Sequence, residues 1–256
     1  MRWMRWMHAG RPACGQVDGD AVRVHEGGSP LAPGNATGER VALADIATWL
    51  PPVQPAQVIG LWNNFRAAAQ KNGLGEPPEP LYFLKSPHCV TAHGSTIPAA
   101  PDDVGRVVYE GELAIVIGQP AYRIAREKAA AHILGYTAAN DVTAPELLRR
   151  DASFQQWVRA KSMPGFGALG PWLDTAFVPQ GAGLRTLVGN RERQNYAFDD
   201  MFFGPEELVF RLSQDLLLAP GDVILCGTSL GAMPMRAGTV VEVVVDGLDT
   251  LRNTYG

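Results

Sequence analysis

Residues 109–118, YEGELAIVIG, constrain the fold more than any other stretch. Two glutamates separated by one glycine lead into five consecutive apolar residues, Leu113 to Ile117. The run reads as a buried β-strand, and VVYEGELAIVIG is the longest extended candidate in the chain. Side chains alternate along a strand, so Glu110 and Glu112 share one face, about 6–7 Å apart, and Leu113, Ile115 and Ile117 take the other. Two like charges at the edge of a low-dielectric core repel, and one is driven toward protonation unless a cation or a solvated rim compensates. A hard divalent cation is one resolution. Magnesium, manganese and calcium prefer carboxylate oxygens, and Asp141, just after the next apolar stretch, is a natural third ligand. The other resolution is a strand that starts in solvent with both glutamates wet, which spacing by itself favours.

The chain of 256 residues, 46% hydrophobic and 19% charged, can bury a substantial core. A formal net charge of −4 leaves no basic footprint for nucleic acid or an anionic membrane, so a small-molecule partner is expected. Cys14, Cys89 and Cys226 are odd in number and far apart, which excludes a disulfide framework and a thiolate zinc site and fits a reducing cytoplasm. No apolar stretch approaches the roughly 18 residues that span a bilayer. MRWMRWMHAG lacks the apolar core of a signal peptide, and its doubled Met-Arg-Trp leaves Met4 as an alternative start.

The pattern predicts a β-dominated α+β chain. ACGQVDGDAVRVH reads as a hairpin turning at Asp18-Gly19, and the Pro51-Pro52 region suggests a boundary near residue 55, giving a small N-terminal β unit (1–55) and a main unit (56–256). VIGLW, LYFL, GYTAAND, DVILC and GTVVEVVVDG read as strands, and LRTLVGNRERQNY as a strand pair. Helices are expected at residues 65–72, at AREKAAAHILG with Gly135 as C-cap, at ELLRR behind a capping box Thr143-Ala-Pro-Glu146, and at PEELVFRLSQDLLL. GFGALGPW matches no nucleotide cradle and reads as a loop that allows close backbone approach.

GTSLG, residues 227–231, fits the G-x-S-x-G nucleophile elbow after a strand, but no helix pattern follows Ser229 and no histidine lies beyond His132, so the elbow fails on context. The five histidines form no metal-binding pair. Lys161, in RAKSMPGFG, is a cation in apolar company that could donate to a developing oxyanion.

Taken in order, PLYFLKSP, YEGELAIVIG, GYTAANDVTAPE, QWVRAKSMPGFGALGPW, DDMFFGPEEL and PGDVILCGTSLG resemble the fumarylacetoacetate hydrolase family in its short bacterial form, over roughly residues 56–256. The resemblance implies a mixed β-roll, a homodimer, and magnesium or manganese held by Glu110, Glu112 and Asp141. It assigns Lys161 to catalysis, and Lys85, Gly227 and Thr228 to binding the substrate, a small keto acid. The leading expectation is metal-dependent hydrolysis of a C–C bond in acylpyruvate or β-diketo acids through a metal-chelated enolate. Decarboxylation, enol–keto isomerisation, or keto-acid binding without turnover are the alternatives. They gain weight because the lid positions where many relatives carry His-x-x-Glu fall here on Ala68 and Lys71, leaving His88, His93 or a metal-bound water to replace the base.

Overall fold

The computed structural model describes residues 1–256. Four antiparallel strands open the chain: β1 (Arg2–His8), β2 (Arg11–Asp18), β3 (Ala21–His25) and β4 (Ala36–Ala42). After β5 (Trp49–Leu50) come β6 (Val58–Trp62), helix α1 (Arg66–Lys71), β7 (Leu81–Lys85), β8 (Val90–Ala92), β9 (Thr96–Ile97) and β10 (Gly111–Ile117). The centre of the chain holds β11 (Ile133–Asp141), the short helices α2 (Pro145–Leu148) and α3 (Trp157–Lys161), and β12 (Gly167–Asp174). The last third supplies β13 (Gly183–Val188), β14 (Arg191–Ala197), α4 (Pro205–Asp215), β15 (Val223–Leu225), β16 (Thr239–Val245) and β17 (Leu251–Tyr255).

These strands form two mixed sheets. The larger runs β4-β3-β2-β1-β12-β11-β10-β15-β6-β7, with β5 added on β1 and β8 on β12; the smaller runs β14-β13-β16-β17-β9. Strand β10 is buried along its whole length because both of its faces are covered. Leu113, Ile115 and Ile117 join the main core with Leu184 and Val243 of the small sheet and Leu208 and Leu212 of α4. Ala114 and Val116 pack on the other side with Val58, Leu169 and Val223. A strand wetted on neither face reads as an unbroken apolar run, which is why this stretch stands out in the sequence.

Several local expectations give way to tertiary packing. The alanine-rich segment forms only a 3-10 stretch, Arg126–His132; Ile133 and Leu134 belong to β11. Gly135 is no helix cap: a Cβ there would lie 2.4 Å from the Asp174 carbonyl oxygen, so the glycine admits β12 alongside. GFGALGPW is not a loop, since Gly167–Asp174 is a fully buried strand. The capping box is absent. Ala144 caps α2, Thr143 Oγ1 donates to the Asp141 carbonyl, and Glu146 pairs with Arg106. Helix α4 ends at Asp215 and leaves Leu216 extended. The N-terminal hairpin is present, and β1 extends it into the main sheet by pairing with β12 at Arg2↔Asp174 and Trp3↔Leu173.

Candidate active site

Antiparallel pairing brings three carboxylates together. Gly111 lies opposite Asn140, and the Asp141 amide donates to the Glu110 carbonyl at 2.8 Å, so Asp141 faces Glu110 across the ladder. Glu112 follows two residues on along the same face. Ligand oxygens from Glu110, Glu112 and Asp141 lie within 4.8 Å of one another. Glu112 and Asp141 are buried and Glu110 is half-buried.

Two lysines brace this cluster. Lys161, the last residue of α3, places Nζ 2.6 Å from both Glu110 Oε2 and Asp141 Oδ2. Lys85, the last residue of β7, donates to Asp141 Oδ1 and, at 2.9 Å, to the Phe166 carbonyl. Burial opposes ionisation of Asp141, but Lys161 and Lys85 together hold its carboxyl below the usual range. Burial raises Glu110 and Glu112, the latter well above the ordinary value, with the Asp141 charge adding to both. Burial also works against the Lys161 ammonium, yet the charges of Asp141, Glu110 and Glu112 outweigh it and keep the lysine protonated.

The backbone beneath the glutamates is clamped to the small sheet. Gln194 Oε1 accepts from the Gly111 amide at 3.0 Å and from Thr186 Oγ1 at 2.8 Å, and Gln194 Nε2 donates to Thr228 Oγ1 at 2.9 Å. Thr228 Oγ1 and the Tyr196 hydroxyl both donate to the Gly111 carbonyl. Only glycine fits between the two glutamates, because a Cβ at residue 111 would stand 2.2 Å from Thr186 Oγ1. Gly111→Ala is therefore expected to lower unfolding stability by about 1–3 kcal/mol through overpacking. Urea denaturation measures this, and a variant as stable as its parent would mean that the sheets part easily here.

Above the carboxylates lies a cavity of about 250 Å³, whose walls include Glu110, Glu112, Lys161, Thr228, Ser229 and Ala68. Lys85 is fully buried beneath Asp141 and does not reach this space. The Gly227 amide points at Glu112 Oε2, 2.7 Å away, and so orients a carboxylate of the cluster. Neither histidine weighed as a substitute base is present: His88 is exposed on a 3-10 turn, and His93 accepts from the Arg252 amide beside Trp49. Ser229 has no histidine near it among the cavity residues, and no helix follows it, which closes the elbow reading structurally. Gln194, Thr186, Tyr196 and Trp157 escaped the sequence reading. Nothing in the local pattern marks Gln194, Thr186 or Tyr196, whereas Trp157 lies within the motif QWVRAKSMPGFGALGPW and Asn140, which accepts from the Glu110 amide at 3.0 Å, stands beside Asp141.

A charged, lysine-braced floor under a small cavity suits a small-molecule substrate, and the comparisons place the chain in an enzyme family. The chain belongs to the fumarylacetoacetate hydrolase family: residues 57–255 match the model described as fumarylacetoacetate (FAA) hydrolase C-terminal. Residues 1–52 match the model described as Rv2993c-like, N-terminal. The oxaloacetate tautomerase YisK of Bacillus subtilis is 32% identical over 228 residues, covering 84% of this chain and 75% of that one. A 4-hydroxyphenylacetate degradation bifunctional isomerase/decarboxylase of Salmonella dublin is 30% identical over 239 residues, covering 92% of this chain and 55% of that one. Among solved structures, the 5-carboxymethyl-2-hydroxymuconate delta-isomerase of Mycobacterium smegmatis superposes with a TM-score of 0.89 at 34% identity, over 100% of this chain and 99% of that one.

Proposed function

We propose that this enzyme interconverts the keto and enol forms of a 2-oxo acid on a divalent cation held by Glu110, Glu112 and Asp141. The observation that carries the reading is the cavity wall. Hydrolysis of a C–C bond needs a base that directs water at the second carbonyl. Ala68 occupies the lid side of the cavity, Lys71 lies exposed outside it, and the lining holds no histidine and no acid beyond the two glutamates. Isomerisation needs no water and asks only for proton transfer beside a polarised oxygen.

Magnesium or manganese fits the donor set, which consists of carboxylate oxygens converging on one point. When bound, the ion supplies Lewis-acid polarisation of the substrate oxygens. Lys161 Nζ, held protonated at the edge of the cavity, delivers a proton to the carbon next to the keto group and takes back the proton that the enol hydroxyl loses. Thr228 Oγ1 is already committed to Gly111 and Gln194, so the buried Ser229 hydroxyl, which has no protein partner, is the free hydroxyl on that wall for a substrate carboxylate. Decarboxylation is the second reading, favoured by the similarity to the bifunctional isomerase/decarboxylase of Salmonella dublin, because loss of CO₂ begins from the same polarised 2-oxo acid.

One preparation separates these reactions. With manganese present, enol loss from oxaloacetate is expected to exceed hydrolysis of acetopyruvate by at least about a hundredfold, and EDTA is expected to abolish it. Rapid acetopyruvate hydrolysis would overturn the isomerase reading, and full turnover after complete metal removal would overturn the metal role.

A further inference from the structure

Beside the cavity over the glutamates lies a second one of about 430 Å³, and Trp62, Phe83, Leu148 and Trp157 line both. Phe83 is one of these shared wall residues. Lys161 Nζ lies 5.0 Å from its ring centroid, and Trp157 stacks on it at 4.9 Å with an interplanar angle of 12°. Trp62 meets Trp157 edge-on at 6.3 Å, and Gln155 Oε1 accepts from Trp157 Nε1 at 3.0 Å, which fixes the indole. Trp62 stays 41% exposed, so an aromatic face is left open beside the charged site. Arg149 also lines this second cavity and has no carboxylate partner, whereas its neighbour Arg150 is paired with Asp103.

We propose that this aromatic annex is the subsite for the distal group of the substrate, and that the chain accepts 2-oxo acids bearing a flat ring, the arylpyruvate class. An anionic substituent on that ring is favoured at Arg149. The inference rests on the carboxylate pocket being the seat of the 2-oxo acid. A four-carbon keto acid fills the first cavity only and leaves the annex to water. A ring attached to the same head group lies against the open face of Trp62 beside Trp157, where stacking and exclusion of water both favour it. The Arg149 guanidinium then meets a carboxylate at the end of the ring. The rival occupant is a second copy of the chain, since β7 is the last strand of the large sheet.

Calorimetry in manganese-containing buffer, with oxalate, phenylpyruvate and 4-carboxyphenylpyruvate as probes, tests the subsite without relying on turnover. Trp62→Ala is expected to reduce phenylpyruvate affinity relative to oxalate by about tenfold. Trp157→Phe, which keeps a ring, should reduce it less. Arg149→Gln is expected to remove a preference of about threefold for the carboxylated probe. Unchanged affinity ratios in these variants would overturn the subsite, as would ratios that vary with protein concentration, the mark of a second copy covering the annex. Failure of the wild type to turn over either phenylpyruvate or oxaloacetate would overturn the isomerase reading instead, and the binding ratios would still decide the annex.

Discussion

Lys161→Met is expected to lower the rate of enol–keto conversion by about 10²–10⁴ and, in the same protein, to tighten manganese binding. Both effects follow from the position of Nζ, 2.6 Å from Glu110 Oε2 and from Asp141 Oδ2. In the proposed reaction the ammonium is the proton donor to the reacting carbon, so its loss removes that donor. It also competes with a cation for the same two oxygens. Without it, three carboxylates converge with only Lys85 to offset them, and their mutual repulsion favours any divalent ion that enters. Steady-state kinetics and calorimetric titration with manganese separate the two effects. Turnover within tenfold of the parent would remove Lys161 from the chemistry, and weaker metal binding would show that it supports the ligands instead of competing for them.

Asp141→Asn is expected to destabilise the fold by about 3–5 kcal/mol, because it leaves a buried lysine without its counter-charge. Lys85 and Asp141 have no side-chain exposure at all, and the remaining partner of Lys85 is the carbonyl of Phe166. For a chain of this size the midpoint of thermal unfolding should fall by about 10 °C. The pH dependence has a definite sign. The Asp141 carboxyl sits below its usual range in the folded state, so its contribution is complete above the ordinary carboxylate pKa and is lost as pH falls through the depressed folded value. The gap between parent and variant should therefore close in strong acid. In a double-mutant cycle, Lys85→Met combined with Asp141→Asn should be less destabilised than the sum of the two single changes. A loss below about 1 kcal/mol in the single variant would mean that water reaches Lys85.

The parts of the fold that could be read from sequence are those where burial and period coincide. Leu113 to Ile117 announce a strand because both faces are covered, and the N-terminal hairpin carries its own turn chemistry, although it turns at Gly19-Asp20, one residue later than the expected Asp18-Gly19. Gly135 reads as a helix ending but serves close approach, whereas the close approach expected in GFGALGPW is present at Gly167, within a strand instead of a loop. Gly135 and Gly167 mark places where another backbone or Cys89 Sγ comes too near for a Cβ. Alanine-rich residues 125–134 carry helical propensity, yet Ile133 and Leu134 are taken by the edge of β11, so tertiary pairing prevailed over propensity. At the site, Glu110, Glu112, Asp141 and Lys161 stand out as ionisable groups in apolar company, but spacing by itself favours wetted glutamates, and it is the ordered motifs of the family resemblance that single out the four together. The sequence reading also grouped Lys85 with the substrate, but nothing in a linear pattern distinguishes a lysine facing a cavity from one sealed beneath it. Gln194 was invisible, since its importance arises only where two sheets meet.

The division between floor and walls bears on how such a chain can diverge. Its acidic floor hangs from β10 and β11 and is tied to the small sheet through Gln194, so almost any change there disturbs several elements at once. Part of the wall comes from helices of six, four and five residues, each presenting only one or two side chains to the cavity, and the rest from strand ends and loops. Ala68 belongs to such a wall, and a substitution there leaves every floor contact in place. Lineages built on this plan can change what they consume by exchanging a few wall residues while inheriting the chemistry intact.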